Sequence, residues 1–472
     1  MIGRELQSEC LKEAVAKGEA QLIAVYGRRR VGKTYLVREV FGDRFFFHHS
    51  GLAKGSMDEQ LAAFRDSLAK YGLTNVPALA NWREAFNELE RLIESGGRKK
   101  KVLFIDELPW LDTPKSGFVK WFEHFWNGFA SGRKEVVLVI CGSASSWIVK
   151  NVFRNRRGLH NRVTDTIRLQ PFTLHECRLM CKSMGIGFGE RDIAELYMIF
   201  GGIPYYWSLL KKGESVAQAI DRLVFAPDGK LRFEFRELYA SLFGEGSAYI
   251  DIVKTLAKVK SGQSAGELMK GARLSKGGNV KRYFDDLEQC GFIRRYTAFG
   301  KKKRDAHYQL IDNFSLFHLR FLEDESNHDE HFWQHGTKGA TLNTWRGLAF
   351  ERLCLWHVPQ IKAALGISGV LTEVYAWRHV PDDVRPWGVQ IDLLLDRADR
   401  VINVCEMKYV SDEYVIDAEA EKSLIRKCET FSAVTKTRCA VHLTLVTAKG
   451  VFKNTHSGIV QSEVTLDDLF RA

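Results

Sequence analysis

Gln21-Leu22-Ile23-Ala24-Val25-Tyr26-Gly27-Arg28-Arg29-Arg30-Val31-Gly32-Lys33-Thr34 is the stretch whose reading decides the fold. Its first six residues are a short, largely apolar run, the pattern of a strand buried in a parallel sheet. The next eight match G-x-x-x-x-G-K-[ST]. Thr34 opens a helix whose apolar side carries Leu36, Val37 and Val40. Strand, glycine loop and helix in that order form a phosphate cradle, because the glycines let backbone N–H groups curl inward and the helix N-terminus adds its dipole. Gly27, Arg28, Arg29, Arg30, Val31, Gly32, Lys33 and Thr34 are therefore the candidate nucleotide-binding residues. Lys33 would reach the β/γ-phosphates of ATP, and the Thr34 hydroxyl would ligate magnesium.

A second apolar strand, Val102-Leu103-Phe104-Ile105, ends in Asp106-Glu107. In this context Asp106 is expected to hold magnesium and Glu107 to polarise the attacking water. A third strand, Val136 to Ile140, ends in Cys141-Gly142-Ser143. There Ser143 is a candidate γ-phosphate sensor, with a strand-terminating turn as the alternative. Arg154, Arg156, Arg157 and Arg162 follow. A solvated basic loop is the default reading, and an arginine finger across a homo-oligomer interface is the sharper one. Alternation of strands and helices over the first part of the chain predicts an α/β doubly wound parallel sheet, with its site at the C-terminal edge of the strands.

The remaining composition sets outer bounds. The chain has 472 residues, 45% hydrophobic and 27% charged, enough apolar surface for about three domains and too much for global disorder. A net charge of +11 favours a polyanionic partner, here DNA. Met1-Ile2-Gly3-Arg4-Glu5 lacks the layout of a secretion signal, and no apolar run reaches the length of a membrane span. Nine scattered cysteines read as reduced thiols, so the expected location is cytoplasmic, with no membrane partner.

From about Tyr249 the pattern turns to short helices. Ile250, Ile252, Val253, Leu256 and Val259 form one, Ser264 with Glu267 caps a second, and Val280, Tyr283, Phe284, Leu287 and Cys290 mark a third. Phe292 to Tyr296 and Ala306 to Ile311 then read as a hairpin tipped by Gly300-Lys301-Lys302-Lys303-Arg304. Three helices and a hairpin predict a winged helix. Its third helix, with Lys276, Asn279, Lys281 and Arg282 near its start, would enter the DNA major groove. Lys301, Lys302, Lys303 and Arg304 would meet phosphates. Docking onto other protein domains is the competing reading.

Past the acidic run Glu323 to Glu330 the chain reads helix, strand, strand, strand, helix, strand. Helix Leu348 to His357 carries Glu351, strand Gln390 to Leu395 carries Asp392, and strand Val401 to Val410 carries Glu406 and Lys408. Asp392 and Glu406 lie across a single turn, so antiparallel pairing would bring them together. Glu406 and Lys408, two apart, share one strand face. Two acids and a lysine on one face suit magnesium and phosphodiester attack.

Ile2-Gly3-Arg4-Glu5, the triple-arginine loop, Ile105-Asp106-Glu107, Cys141-Gly142-Ser143 and Gly201-Gly202-Ile203-Pro204-Tyr205 together resemble the archaeal-type ATPases. These are AAA-like P-loop proteins of the signal-transduction group. The resemblance implies ATP binding and slow hydrolysis, places Ile2 to Arg4 near the adenine, and makes Gly201 to Tyr205 the start of a helical lid. Glu351, Asp392, Glu406 and Lys408 resemble the PD-(D/E)XK nuclease-like site, with Ile391 where the eponymous proline would stand. The expected domains are a P-loop ATPase with lid over 1–235, a winged helix over 236–322 and a nuclease-like domain over 335–472. The expected activity is ATP-driven, magnesium-dependent DNA processing, and the alternative is an ATP-gated switch whose later domains only bind partners.

Overall fold

The apolar run at Gln21 folds as β1 (Gln21–Gly27), buried at all but one position and paired with a strand on each edge. In the computed structural model, the residues described are 1–472 except 43, 98, 144, 154–158, 160, 245–246, 276–278, 302–304, 324–328 and 337–338. The chain separates into two compact units, one of Met1–Pro171 with Ala240–Gly244, the other of Phe172–Tyr239 with Glu245–Ala472.

In the first unit β1 joins β2 (Phe47–Ser50), β3 (Lys101–Asp106), β4 (Val136–Gly142) and β5 (Asp165–Leu169) in a parallel sheet of order β2-β3-β4-β1-β5. β3 and β4 are buried at every position, the pattern of central parallel strands covered on both faces. Helices Met57–Lys70, Trp82–Ser95 and Phe118–Gly128 cover the sheet with an aromatic layer. Trp82 meets Phe118 edge-on with ring centroids 4.8 Å apart. The consequence for function is positional: β4 lies between β1 and β3, so the ends of all three strands gather at one edge.

The second unit begins with helices Leu174–Ser183 and Glu190–Phe200. The segment expected as the lid of the 1–235 domain, from Gly201 on, clusters with the later residues. The cause is packing. Helix Glu190–Phe200 is buried along most of its length and contacts helices Asn313–Phe321 and Ala340–Trp356. Helices Ser247–Ala257, Ala265–Gly271 and Asn279–Gln289 follow. The expected capping box between Ser264 and Glu267 is formed. β7 (Ile293–Tyr296) and β8 (His307–Leu310) pair as the expected antiparallel hairpin, joined at its edge by β6 (Gln263–Ser264). The segment after β7 is partly engaged elsewhere. Phe299 donates its N–H to the Ala376 carbonyl at 3.0 Å and packs its ring on Tyr375 and Phe431.

The last part of the unit has the order helix (Ala340–Trp356), β9 (Thr372–His379), β10 (Val389–Arg397), β11 (Val401–Lys408), helix (Ala418–Thr435), β12 (Ala440–Thr447) and β13 (Ser462–Thr465). The sheet order is β13-β12-β11-β10-β9, antiparallel from β9 to β11 and parallel from β11 to β13. The first helix starts eight residues before the expected Leu348. Its early turns carry Thr341, Asn343 and Thr344, which hide the apolar period. Strand β13 also lies beyond the expected elements.

Candidate functional site

Two clusters of polar side chains stand out, one in each unit. The first is built by the loop after β1. Gly27 ends that strand where a Cβ would fall 2.4 Å from the Leu169 carbonyl oxygen, so only glycine fits. Arg30 (φ 71°) and Gly32 (φ 89°) take left-handed conformations that turn the chain into helix Lys33–Phe41. Arg28 and Val31 are buried, and Arg29 and Arg30 are half-buried. Lys33 is buried, and its ammonium donates to the Gly27 and Arg28 carbonyls, both at 3.0 Å. Neutral carbonyls are weaker partners for an ammonium than phosphate oxygens, so the loop is ready to exchange them.

Thr34 Oγ1 donates to Asp106 Oδ2 at 2.8 Å, pairing the two residues expected at magnesium. Asp106 Oδ1 in turn accepts the N–H of Glu107 at 2.9 Å. Glu107 sits at φ 47°, a conformation that turns its carboxylate away from the continuing strand direction. That carboxylate accepts the Ser143 N–H at 3.1 Å and the Ser143 hydroxyl at 2.8–2.9 Å. Because β4 separates β1 from β3, Ser143 is the residue that meets Glu107. Cationic Lys33, the curled loop and the Thr34–Asp106 oxygen pair are the donor set that a magnesium nucleoside triphosphate requires. Arg4, implied near the adenine, is buried and donates from Nη2 to the Gln170 carbonyl at 2.7 Å. Of the arginine-finger candidates, Arg162 is exposed, and Arg154, Arg156 and Arg157 lie outside the described residues.

The second cluster lies on β10 and β11. Their antiparallel register pairs Leu393 with Cys405, so the next positions along are Asp392 and Glu406. Both line a cavity of about 260 Å³ together with Glu351, Lys408, Lys260 and Lys427. Glu406 Oε1 takes Lys408 Nζ at 2.9 Å, and Oε2 takes Lys427 Nζ from helix Ala418–Thr435. Burial pushes the Glu406 carboxyl up, but Lys427 and Lys408 outweigh it and hold it below the usual range. Burial lowers Lys408, yet Glu406 holds its ammonium above the ordinary value. Glu351 goes the other way: burial and the nearby Asp392 raise it, against the pull of Lys260 at 2.7 Å. Asp392 Oδ1 accepts Gln390 Nε2 at 2.6 Å. Its backbone carbonyl faces Arg294 Nη2 at 3.5 Å, and burial lowers that guanidinium to about 10. Among the described residues no three His, Cys, Asp or Glu side chains gather as a metal cage.

Comparison with known proteins bears on the first cluster. Residues 2–210 match a family described as an ATPase domain predominantly from Archaea. They are similar to an archaeal-type ATPase domain. An uncharacterised protein of Methanocaldococcus jannaschii is 24% identical over 387 residues, which is 81% of this chain and 83% of the relative. A Walker-type ATPase of Pyrococcus abyssi superposes with TM-score 0.51 at 18% identity, covering 68% of this chain and 96% of that one, a likeness of fold. The archaeal-type ATPase match contains the loop, Asp106, Glu107 and Ser143. It also reaches Gly201 to Tyr205, which forms the turn into helix Pro204–Trp207.

Of the residues expected at DNA, Lys281, Arg282 and Lys301 are exposed, and Lys276, Lys302, Lys303 and Arg304 lie outside the described residues. Beyond the archaeal-type ATPase match, sequence reasoning missed Lys260, Arg294, Gln390 and Lys427 in the second cluster. Gln390 was within reach, being two residues from Asp392 on one strand face. Lys260 and Lys427 carry no local signal, since only tertiary packing brings them to the carboxylates. No described helix is long and apolar enough to cross a membrane.

Proposed function

We propose that this chain binds and hydrolyses ATP at the Lys33 loop and processes DNA at the Asp392–Glu406 site. The observation that carries the second half is the convergence of Glu351, Asp392, Glu406 and Lys408 on one cavity. The order helix, three strands, helix, strand, with antiparallel β9–β11 and parallel β12, supports a PD-(D/E)XK nuclease-like reading of residues 335–472. The three helices and hairpin support a winged helix within 236–322, with Lys281, Arg282 and Lys301 to Arg304 as its DNA contacts. At the ATPase site Lys33 would bind the β/γ-phosphates, Thr34 and Asp106 would hold magnesium, and Glu107, now bonded by Ser143, would take the water proton once released. At the second site Asp392 and Glu406 form an all-oxygen pair suited to magnesium, which takes one or two carboxylates and keeps other ligands. Magnesium there would supply Lewis acidity toward a phosphodiester. Lys408 would stabilise charge on the phosphate.

The test is cleavage of single- and double-stranded DNA by the full chain with magnesium or manganese, with and without ATP. Cleavage that is lost in Asp392→Ala and Glu406→Ala, while ATP hydrolysis persists, supports the reading. A wild type that cuts no DNA or RNA form overturns the nuclease half. A second reading, an ATP-gated switch whose later domains only bind partners, draws on two observations. Both Glu406 oxygens are occupied by lysines, and Phe299 beside the wing packs on β9 and helix Ala418–Thr435.

A further inference from the structure

Lys260 reaches the cavity of the second site from the connection between helix Ser247–Ala257 and β6, outside the sheet that carries Asp392 and Glu406. Two buried side chains fix its backbone: Arg352 Nη2 donates to its carbonyl at 2.7 Å and Gln309 Nε2 at 3.0 Å. Its side chain is freer, with 45% of its surface exposed, and its ammonium pairs with Glu351 Oε1 at 2.7 Å. The other oxygen, Glu351 Oε2, is buried and has no hydrogen-bond partner among the described residues. The pair thus leaves half of a buried carboxylate unsatisfied, a costly arrangement that favours exchange. Three carboxylates, Glu351, Asp392 and Glu406, share the cavity lining with four cations, Lys260, Lys408, Lys427 and Arg426. A magnesium ion brings two positive charges to a space already neutralised, so its entry is opposed unless a cation withdraws. Arg426 rests over the Trp387 ring, 5.2 Å from its centroid. Of the three lysines that grip the carboxylates, Lys260 has the most freedom to leave, since Lys408 is 37% exposed and Lys427 only 17%.

We propose that Lys260 is a DNA-phosphate contact of the second site, and that its move from Glu351 to a phosphate opens the site to magnesium. The proposal rests on the nuclease-like reading above. Without DNA the ammonium holds Glu351 and competes with the metal. A phosphodiester offers that ammonium a charge-assisted bond in exchange. The swing frees Glu351 beside Asp392, where a hard cation takes carboxylate oxygens. Magnesium and DNA then favour each other's binding, because each favours the state in which Lys260 has left Glu351. With the backbone held by Arg352 and Gln309, the exchange is a motion of one side chain.

The test uses the full chain without nucleotide, with Lys260→Met, which keeps an apolar stem, and Lys260→Arg, which keeps the charge. The Arg352 and Gln309 bonds go to the backbone carbonyl, so neither variant is expected to change the melting temperature. Magnesium is titrated calorimetrically in the absence of DNA, and the part lost in Asp392→Ala is assigned to the second site. Lys260→Met is expected to bind that magnesium about threefold or more tightly, the scale of one half-exposed ion pair. Lys260→Arg is expected to bind it as the wild type does. A duplex oligonucleotide is then titrated in EDTA at several salt concentrations. Lys260→Met is expected to bind it more weakly, with a salt slope lower by about 0.9, and Lys260→Arg to restore both. A wild type with no Asp392-dependent magnesium binding overturns the nuclease-like reading and this proposal with it. Asp392-dependent binding that Lys260→Met leaves unchanged or weakens overturns the proposal alone, and so does an unchanged salt slope.

Discussion

Lys33 illustrates how much one side chain decides. Its ammonium is satisfied by two backbone carbonyls at 3.0 Å and is available for a phosphate that offers full negative charge. Lys33→Ala is expected to weaken ATP binding by at least about tenfold, measured by titration calorimetry. Glu107→Gln keeps the shape but loses the proton acceptor, so binding persists and hydrolysis falls by about a hundredfold or more in a steady-state assay. A buried histidine sets a pH limit. His357 accepts the Leu174 N–H at Nε2 (3.0 Å) and pairs Nδ1 with the Leu353 carbonyl (2.8 Å), so the fold holds it neutral. Burial lowers it from 6.5 to about 4. The unfolded chain therefore takes up a proton that the fold refuses: the stabilisation is complete above 6.5 and is lost as pH falls toward 4. Between about pH 7 and 5 this group alone accounts for about 2 kcal/mol. His49 and His318 are lowered to about 4 by the same cause and add to the loss. Urea midpoints at the two pH values are expected to converge partly in His357→Gln.

At the scale of elements, the β10–β11 ladder and helix Ala418–Thr435 hold the second site in opposing ways. The ladder aligns Asp392 with Glu406, whereas the helix brings Lys427 to occupy a Glu406 oxygen that a metal would need. Lys427→Met removes that competitor and is expected to raise magnesium affinity several-fold in a metal titration, while Asp392→Ala lowers it. Lys408→Ala is expected to retain metal binding and lose cleavage. The hairpin makes a separate prediction. Replacing Lys281, Arg282 and Lys301 to Arg304 with neutral residues is expected to weaken DNA binding equally across sequences. It should also lower the salt slope by about 0.9 for each phosphate that is no longer neutralised, as read from gel shifts at several salt concentrations. An unchanged slope assigns the hairpin to protein docking, the role that Phe299 already performs on β9.

At the scale of the whole molecule, two units carry two chemically distinct clusters, and substitutions can separate them. Asp392→Ala is expected to leave ATP hydrolysis at the wild-type rate, because its cluster shares no residue with the loop. If ATP governs the later unit, Lys33→Ala lowers cleavage or DNA affinity. Unchanged cleavage and affinity in Lys33→Ala would make the two activities independent. The net charge of +11 suits either case, since it draws a polyanion without choosing its site.

The loop, its strand and its acidic partner were legible in the sequence. Gly27 to Thr34 is a local motif, and an apolar strand ending in Asp106-Glu107 needs no tertiary information to be noticed. The same holds for Asp392, Glu406 and Lys408, whose spacing around one turn dictates their meeting once the strands pair antiparallel. Tertiary structure alone decided three things. It grouped residues 172–239 with the later residues, where helix Glu190–Phe200 packs on Asn313–Phe321 and Ala340–Trp356. It set Ser143 on Glu107, because only the order of strands puts β4 between β1 and β3. It also brought Lys260 to Glu351 and Lys427 to Glu406. Periodicity and motif are properties of neighbours along the chain. The partner of a buried charge is chosen by packing between segments far apart in the sequence.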